Sequence, residues 1–223
     1  MLESSVVLAI DGTSGSGKSS TSRGVARALG FRYLDTGAQF RAITWWMLER
    51  GVDVTDAEAV AALVGEPKLE SGTDPEHPTI TVDGIDVSEP IRGIEVTRAV
   101  SPVSTVPEVR ARLLELQRRI IGSGGIVVEG RDIGSVVWPQ AEVKLYLTAD
   151  AEARAERRAA EHTHLGDLEA TKADLLKRDV IDSGRATAPL VMADGAVHID
   201  TTPYSLDEVI AMIVDLVDST RAG

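Results

Sequence analysis

Short apolar runs alternate with longer amphipathic stretches along this chain, a pattern typical of parallel strands joined by helices. The apolar runs predict five strands, at 6–10, 31–34, 126–128, 143–147 and 196–199. The amphipathic stretches predict helices at 18–29, 37–50, 106–121, 151–162 and 205–217. We therefore expect an α/β fold with a five-stranded parallel sheet flanked by helices.

Two segments interrupt this alternation. Residues 65–90 are rich in Pro, Gly and acidic residues, with short strand candidates at 68–70, 79–82 and 85–87 around the turn signal Asp83-Gly84. They predict a small antiparallel insertion. Residues 164–188 are charged and poor in apolar residues. We interpret them as a mobile flap.

Polar clusters follow the predicted strands where each strand ends. They are Asp11-Gly12, Asp35-Thr36, Glu129-Gly130-Arg131-Asp132 and Asp200-Thr201-Thr202. Ligands of open parallel sheets bind beyond the carboxyl ends of the strands, so we expect these clusters to share one binding edge.

The first of these clusters opens a phosphate-binding motif. Its residues are Gly12-Thr13-Ser14-Gly15-Ser16-Gly17-Lys18-Ser19-Ser20, which fit G-x-x-x-x-G-K-[ST] between a strand and a helix. Such a loop turns its backbone N–H groups toward phosphate oxygens at a helix N-terminus. We predict a nucleoside triphosphate site in which Lys18 reaches the outer phosphates and Ser19 binds Mg²⁺. The alternative is a glycine-rich turn that binds nothing.

Composition narrows the class of protein. The formal net charge is −12, which disfavours sequence-independent binding to nucleic acid. Eighteen of the 23 basic residues are Arg, which suits phosphate handling, although a general compositional bias would give the same excess. There is no Cys and no apolar run of membrane-spanning length. We expect a cytoplasmic monomer that binds neither membrane nor nucleic acid.

Several other residues are candidates whose spacing alone leaves a structural alternative open. Arg178, Asp182 and Arg185 share a helix face if the helix continues through Gly184, but they also fit a solvated surface pair. The same ambiguity covers three further sets: Arg154, Arg157 and Arg158 as a solvated basic face; Thr36 and Arg41 as a helix cap and a surface Arg; and Trp45-Trp46, which we assign to the core rather than to base stacking. Arg131-Asp132 is the stronger candidate, because charges directly after a buried strand are costly unless they are paired or used.

In order along the chain, these pieces resemble the bacterial cytidylate kinases. The resemblance rests on the phosphate loop, Leu34-Asp35-Thr36-Gly37-Ala38-Gln39-Phe40-Arg41, Val87-Ser88-Glu89-Pro90-Ile91-Arg92, Val100-Ser101-Pro102-Val103-Ser104, Pro107-Glu108-Val109-Arg110, Glu129-Gly130-Arg131-Asp132-Ile133-Gly134, Arg178-Asp179, Arg185-Ala186-Thr187-Ala188-Pro189-Leu190 and Asp200-Thr201-Thr202. It spans essentially the whole chain, including the insertion.

The resemblance implies the P-loop NTPase fold with one kinase domain. Its core would be about 1–38, 101–150 and 189–223, its nucleoside monophosphate (NMP)-binding region with the hairpin insertion about 39–100, and its Arg-rich lid about 151–188. The implied reaction is phosphorylation of CMP and dCMP by ATP with Mg²⁺. Lys18, Arg131, Arg157 and Arg185 would be catalytic.

The resemblance also assigns binding roles. Thr36, Ser101, Arg110, Asp132 and Arg185 would surround the cytosine, Arg178 and Asp182 would contact the pentose, and Arg41 and Arg131 would hold the acceptor phosphate. Residues 12–20 with Arg154, Arg157 and Arg158 would bind ATP.

Two other functions compete. Another small-molecule kinase on the same fold would lack the hairpin insertion and the Ser101…Arg110 pair. A nucleotide-dependent switch of the GTPase type needs an N-K-x-D motif, which is excluded because the sequence has no Asn.

Overall fold

The computed structural model describes residues 6–161, 168–185 and 187–222, and leaves the side chains of residues 160, 161, 168, 178 and 222 undescribed. Within those residues the strands and helices, in chain order, are β1 (Val7–Gly12), α1 (Lys18–Leu29), β2 (Arg32–Asp35), α2 (Thr36–Glu49), α3 (Ala57–Leu63), β3 (Leu69–Ser71), β4 (Ile80–Val82), β5 (Ile85–Asp86), α4 (Ile94–Thr105), α5 (Pro107–Ile121), β6 (Ile126–Glu129), β7 (Val143–Thr148), α6 (Ala151–Glu161), α7 (Leu168–Gly184), β8 (Val197–Asp200) and α8 (Leu206–Ala222). A short 3₁₀ turn (Pro90–Arg92) and a single π-helical turn (Ile133–Val137) complete the list.

Five of these strands form the predicted parallel sheet, in the order β2-β6-β1-β7-β8. The inner strands β6 and β1 are buried along their whole length and apolar up to their last residues, because helices cover both faces of such a sheet. The third inner strand, β7, alternates buried apolar residues with half-buried polar ones. The register aligns Asp35 and Ile10 with Glu129 on β6, and Gly12 with Leu147 on β7. The polar strand ends therefore lie at one edge, as expected.

The predicted insertion is a separate antiparallel sheet of three strands, β3-β4-β5. Asp83 and Gly84 form the β4–β5 turn with positive φ angles of 52° and 81°. The inner residues of this sheet pack with α2, α4 and α5 in one apolar cluster that also takes in Trp45 and Trp46. The assignment of both tryptophans to the core is confirmed.

Three elements differ from the sequence-based expectation. Helices α3 and α4 were not predicted: α3 has only 7 residues, and α4 carries Pro102. The segment interpreted as an irregular flap contains the 17-residue helix α7, while residues 164–167 and 186 of that segment lie outside the described residues.

Candidate functional site

The phosphate loop joins β1 to α1 with the backbone geometry its sequence predicts. Gly15 and Gly17 have φ angles of 79° and 83°, which favour glycine, and Lys18 is the first residue of α1. At Gly12, a Cβ would lie 2.0 Å from the carbonyl oxygen of Leu147 on β7, so only glycine fits there. The first N–H groups of α1 have no partner within the helix and are available to an anion.

Lys18 is buried inside this loop. Its Nζ donates to the carbonyl oxygen of Thr13 and lies 3.5 Å from the Ser16 hydroxyl. Burial lowers the pKa of Lys18 to about 7, and the positive charge of Arg131 acts in the same direction, while Glu129 and Asp11 oppose it. A phosphate placed in the loop would restore the full charge of Lys18, because an opposite charge favours the protonated amine.

Ser19 lies beside a buried carboxylate. Its hydroxyl donates to Glu129 Oε2 at 3.0 Å, and the Tyr33 hydroxyl donates to Glu129 Oε1. Burial raises the pKa of Glu129 to about 7, with repulsion from Asp35 adding to the shift. The Ser19 hydroxyl and the Glu129 carboxylate are oxygen donors of the kind that Mg²⁺ takes when nucleotide phosphates and water supply the other ligands.

The end of β6 brings a second set of charges to the same edge. Arg110 on α5 is buried and donates to Asp132 Oδ2 at 2.5 Å and to the carbonyl of Ser104 at 3.2 Å. Arg131 donates to Asp182 Oδ2 at 2.9 Å. These contacts exclude the purely solvated alternative for Asp182, whose side chain is 11 % exposed.

Thr36 and Arg41, near the start of α2, are not the helix cap and surface arginine of the structural alternative. Asp35, not Thr36, caps the helix, since its Oδ1 accepts the Ala38 amide at 2.9 Å. Thr36 instead donates to the carbonyl of Glu129 at 2.7 Å, and Arg41 pairs with Asp35 at 2.9 Å. Burial alone would raise the pKa of Asp35, but Arg41 and the Ala38 amide hold it below its usual value.

Helix α7 ends at Gly184 and brings Asp182 to the strand ends, where it contacts Arg131. Arg185 follows the last residue of α7; its Nε donates to the Asp182 carbonyl at 3.2 Å, and among the described atoms its Nη2 has no hydrogen-bond partner. Burial lowers the pKa of Arg185. The side chain of Arg178 lies outside the described residues.

The three arginines of α6 do not converge on one point. Arg154 is buried and donates to the carbonyl of Ser14 at 3.1 Å and to Asp179. Arg157 donates to the hydroxyl and carbonyl of Thr201 at 2.8 and 2.9 Å, with its guanidinium beside Gly17. Of the three, only Arg158 lines the cleft that Lys18 and Asp132 also line.

A cleft of about 610 Å³ connects these groups. Its lining takes in most of the predicted site: Ser14, Gly15, Gly17, Lys18, Ser19, Ser20, Thr36, Arg41, Ser101, Arg110, Arg131, Asp132, Arg158, Asp182 and Arg185. Gly12, Thr13, Ser16, Arg154 and Arg157 do not line it. The volume is within the range of small-molecule sites.

Sequence reasoning missed several residues of this site. Tyr33, Asp179 and Asp11 make contacts between segments far apart in the chain, and Asp11 accepts the backbone amides of Ile133 and Gly134. No local pattern marks these contacts. The Tyr33–Glu129 bond spans 96 residues and the Ser14–Asp179 bond 165. The one available signal was the position of Asp11 and Glu129 at the ends of buried strands.

A phosphate loop on this sheet, opening into an arginine-lined cleft, defines a P-loop kinase. The family model for cytidylate kinase matches residues 8–219, and the chain belongs to that family. It is 57 % identical to a cytidylate kinase of Streptomyces avermitilis over 98 % of this chain and 95 % of that one, and 59 % identical to one of Streptomyces coelicolor with the same coverage. The resemblance inferred from the sequence is confirmed.

Solved structures agree on the fold. The chain is similar to a shikimate kinase from Acinetobacter baumannii, with a TM-score of 0.50 and 16 % identity over 99 % of this chain and 97 % of that one. It is similar at a TM-score of 0.51 and 12 % identity to an uncharacterized protein of Eubacterium ventriosum, over 96 % of this chain and 99 % of that one. Both likenesses concern the fold alone. No helix among the described residues is long and apolar enough to cross a membrane.

Proposed function

We propose that the chain transfers the γ-phosphoryl group of ATP to CMP, giving ADP and CDP, and that dCMP is accepted in the same way. The observation that carries the proposal is the buried Arg110–Asp132 pair, which lines the same cleft as Lys18 and Ser19 of the phosphate loop. The cleft therefore offers a donor cradle and a polar acceptor pocket together. Membership of the cytidylate kinase family favours cytosine as the acceptor base.

The acceptor pocket suits cytosine chemically. A carboxylate such as Asp132 accepts a bond from the exocyclic amino group, and Arg110 or Arg185 donates to the ring nitrogen or carbonyl, with Thr36 and Ser101 completing the polar wall. Uracil presents a carbonyl where cytosine has its amino group, so the Asp132 carboxylate would face a second acceptor instead of a donor. Arg178 and Asp182 would hold the pentose, and Arg41 and Arg131 the acceptor phosphate.

On the donor side, residues 12–20 would cradle the phosphates of ATP. Arg154, Arg157 and Arg158 would approach ATP from α6, in the lid of about 151–188. Ser19 and Glu129 would hold Mg²⁺ together with phosphate oxygens and water, since the described residues contain no cluster of three or more metal-ligating side chains. Bound there, Mg²⁺ neutralises phosphate charge and orients the phosphates.

The transfer itself needs alignment and charge compensation more than covalent help. A phosphate oxygen of CMP forms the new bond to the γ-phosphorus as the bond to the β,γ-bridging oxygen breaks and ADP leaves. The nucleophile is already an anion, so no general base is required. Lys18, Arg131, Arg157 and Arg185 would offset the charge of the two nucleotides.

The subdivision into a core, an NMP-binding region at about 39–100 and a lid is part of the proposal, as is a monomeric, cytoplasmic enzyme. The three-stranded sheet β3-β4-β5 and its shared cluster with α2 support the second of these regions. Closure of the lid would exclude water and suppress hydrolysis of ATP.

A coupled assay of ADP release tests the function, with CMP, dCMP, UMP, AMP, dTMP and shikimate as acceptors. We expect CMP and dCMP to be the best substrates, and turnover of AMP, dTMP or shikimate well above that of CMP would refute the proposal. Lys18→Ala should abolish turnover with the fold intact, whereas Lys68→Ala, which removes an exposed lysine of the insertion, should not.

A further inference from the structure

Asp11 is a buried carboxylate that holds two backbone amides of a distant turn. It lies on β1, directly before Gly12 of the phosphate loop, and is 2 % exposed. Its Oδ1 accepts the amide of Ile133 and its Oδ2 the amide of Gly134, each at 2.8 Å. One side chain at the start of the donor cradle therefore fixes two successive residues that follow β6.

Those amides belong to the turn that presents the acceptor side of the cleft. The π-helical turn Ile133–Val137 comes directly after Arg131 and Asp132, which line the cleft. At Gly134, a Cβ would lie 3.2 Å from the Cβ of Ala193 and 3.4 Å from Asp11 Oδ2, so the turn is packed closely on the carboxylate. The orientation of Arg131 and Asp132 depends on how this turn is held.

The chemistry of Asp11 indicates a role beyond stability. Burial raises the pKa of Asp11 to about 6, against the opposing effect of the Gly134 and Ile133 amides. Burying a carboxylate lowers the stability of the fold, and a neutral polar side chain could hold a turn in place without that loss. The ionised group offers an oxygen to each amide, and its charge also favours the protonated form of Lys18.

We propose that Asp11 is a positioning residue that fixes the 133–137 turn in the free protein and thereby holds Arg131 and Asp132 toward the phosphate loop. The proposal rests on the proposed function, in which Arg131 and Asp132 receive the acceptor nucleotide. Asp11 touches neither substrate; it links the donor cradle to the acceptor side through the turn.

Asp11→Asn tests this role. The Asn side chain offers one oxygen acceptor and an NH₂ group that only donates, so one of the two backbone amides loses its partner and the turn shifts. We expect the KM for CMP to rise by about tenfold, while the KM for ATP changes by less than about twofold. The matched control is Glu142→Gln, which weakens a carboxylate–amide bond of 2.8 Å at Val7, the opposite end of the same strand. It should leave both KM values unchanged.

The outcomes separate the two proposals. If wild-type protein fails to phosphorylate CMP, the proposed function is wrong. If it succeeds but Asp11→Asn changes both KM values equally, or neither, Asp11 is not a positioning residue.

Amide hydrogen exchange on the ligand-free wild type gives a second measurement, independent of turnover and of whether the variant folds. We expect the Ile133 and Gly134 amides to be protected by at least about 100-fold relative to the unstructured chain. Exchange as fast as in an unstructured chain would overturn the proposal.

Discussion

Around the phosphate loop, Asp11, Lys18 and Glu129 are buried ionisable side chains, and burial moves the pKa of each toward neutrality. Each charge costs the free protein stability. A nucleotide phosphate would offset that cost at Lys18, and its Mg²⁺ would offset it at Glu129. The residues that make this site reactive are therefore residues that destabilise the empty fold.

The pH dependence of stability should reveal this cost at Asp11. Its pKa is raised in the native state, so between about pH 4 and pH 7 the native protein keeps a proton that the unfolded chain has lost, and rising pH lowers stability. Asn has no proton to lose. The difference in unfolding free energy, Asp11→Asn minus wild type, should therefore rise by about 2 kcal/mol between pH 4 and pH 7.

Denaturant unfolding at several pH values measures this difference. The groups that face Asp11 are Lys18 from α1, Asp132 from the end of β6 and Tyr146 from β7, and they remain in both proteins. A difference that stays constant with pH would show that Asp11 ionises in the native state as easily as in the unfolded chain.

Asp132 is the residue on which base selection should depend. Asp132→Ala removes the proposed acceptor for the cytosine amino group, so we expect the KM for CMP to rise by at least about tenfold and the KM for ATP to change far less. It also leaves Arg110 buried without its carboxylate, which costs stability. Asp132→Asn keeps an oxygen for Arg110 and separates the two effects.

Kinetics and thermal unfolding on both variants check this prediction. Equal rises of the two KM values in the folded Asn variant would argue against contact with the base.

At the scale of elements, one indole ties the insertion to the helix that carries Thr36 and Arg41. Trp46 Nε1 donates to Asp83 Oδ2 at 2.9 Å, and Asp83 Oδ1 accepts the Lys68 amide at 2.8 Å. Arg50 stacks over the Trp46 ring at 3.8 Å from its centroid. The hairpin turn and α2 are thereby held together.

Trp46→Phe should loosen this connection. It removes one partly buried hydrogen bond, weakens the stacking of Arg50 and removes part of the ring volume, and we expect the free energy of unfolding to fall by about 1–3 kcal/mol. Trp45→Phe, next to it on α2 and packed against the same cluster, leaves the bond to Asp83 intact and is the control. Equal losses in both variants would mean that ring volume alone matters.

The elements also show what the sequence could predict. The sheet strands were located to within two residues at either end. The buried strands β1 and β6 are near-continuous apolar runs, and the other three carry apolar residues between turn signals. Helix α4 was not predicted because Pro102 interrupts its helical pattern. Helix α7 was not predicted because few of its apolar side chains, Leu175 among them, are buried, so its apolar periodicity is weak. Arg131 and Asp132 could be predicted because they directly follow a buried strand. Tyr33 and Asp179 could not, because their contacts with Glu129 and Ser14 join segments far apart in the chain.

Across the whole molecule, the charge of the cleft is opposite in sign to the net charge of the chain. The chain carries a net charge of −12, yet the cleft is lined by seven arginines and one lysine against four carboxylates. A positive cleft in an acidic molecule attracts nucleotides to the site while the remaining surface repels polyanions.

Helix α7 contacts both sides of the cleft. Asp182 contacts Arg131 on the proposed acceptor side, while Asp179 pairs with Arg154 and accepts the Ser14 amide of the phosphate loop at 3.3 Å. A nucleotide that orders α7 from the acceptor side would therefore also order the loop on the donor side. Binding of CMP and of ATP should be coupled, with each tightening the other by the same factor.

Asp179→Asn should reduce this coupling. Calorimetric titration of a non-hydrolysable ATP analogue, with and without CMP, measures the factor directly. We expect about fivefold or more in the wild type and less than about twofold in Asp179→Asn, because the neutral amide holds Arg154 less firmly against Ser14. Asp174→Asn, at an exposed position of the same helix, should keep the wild-type factor. If Asp179→Asn keeps it too, α7 does not connect the two sides through this carboxylate.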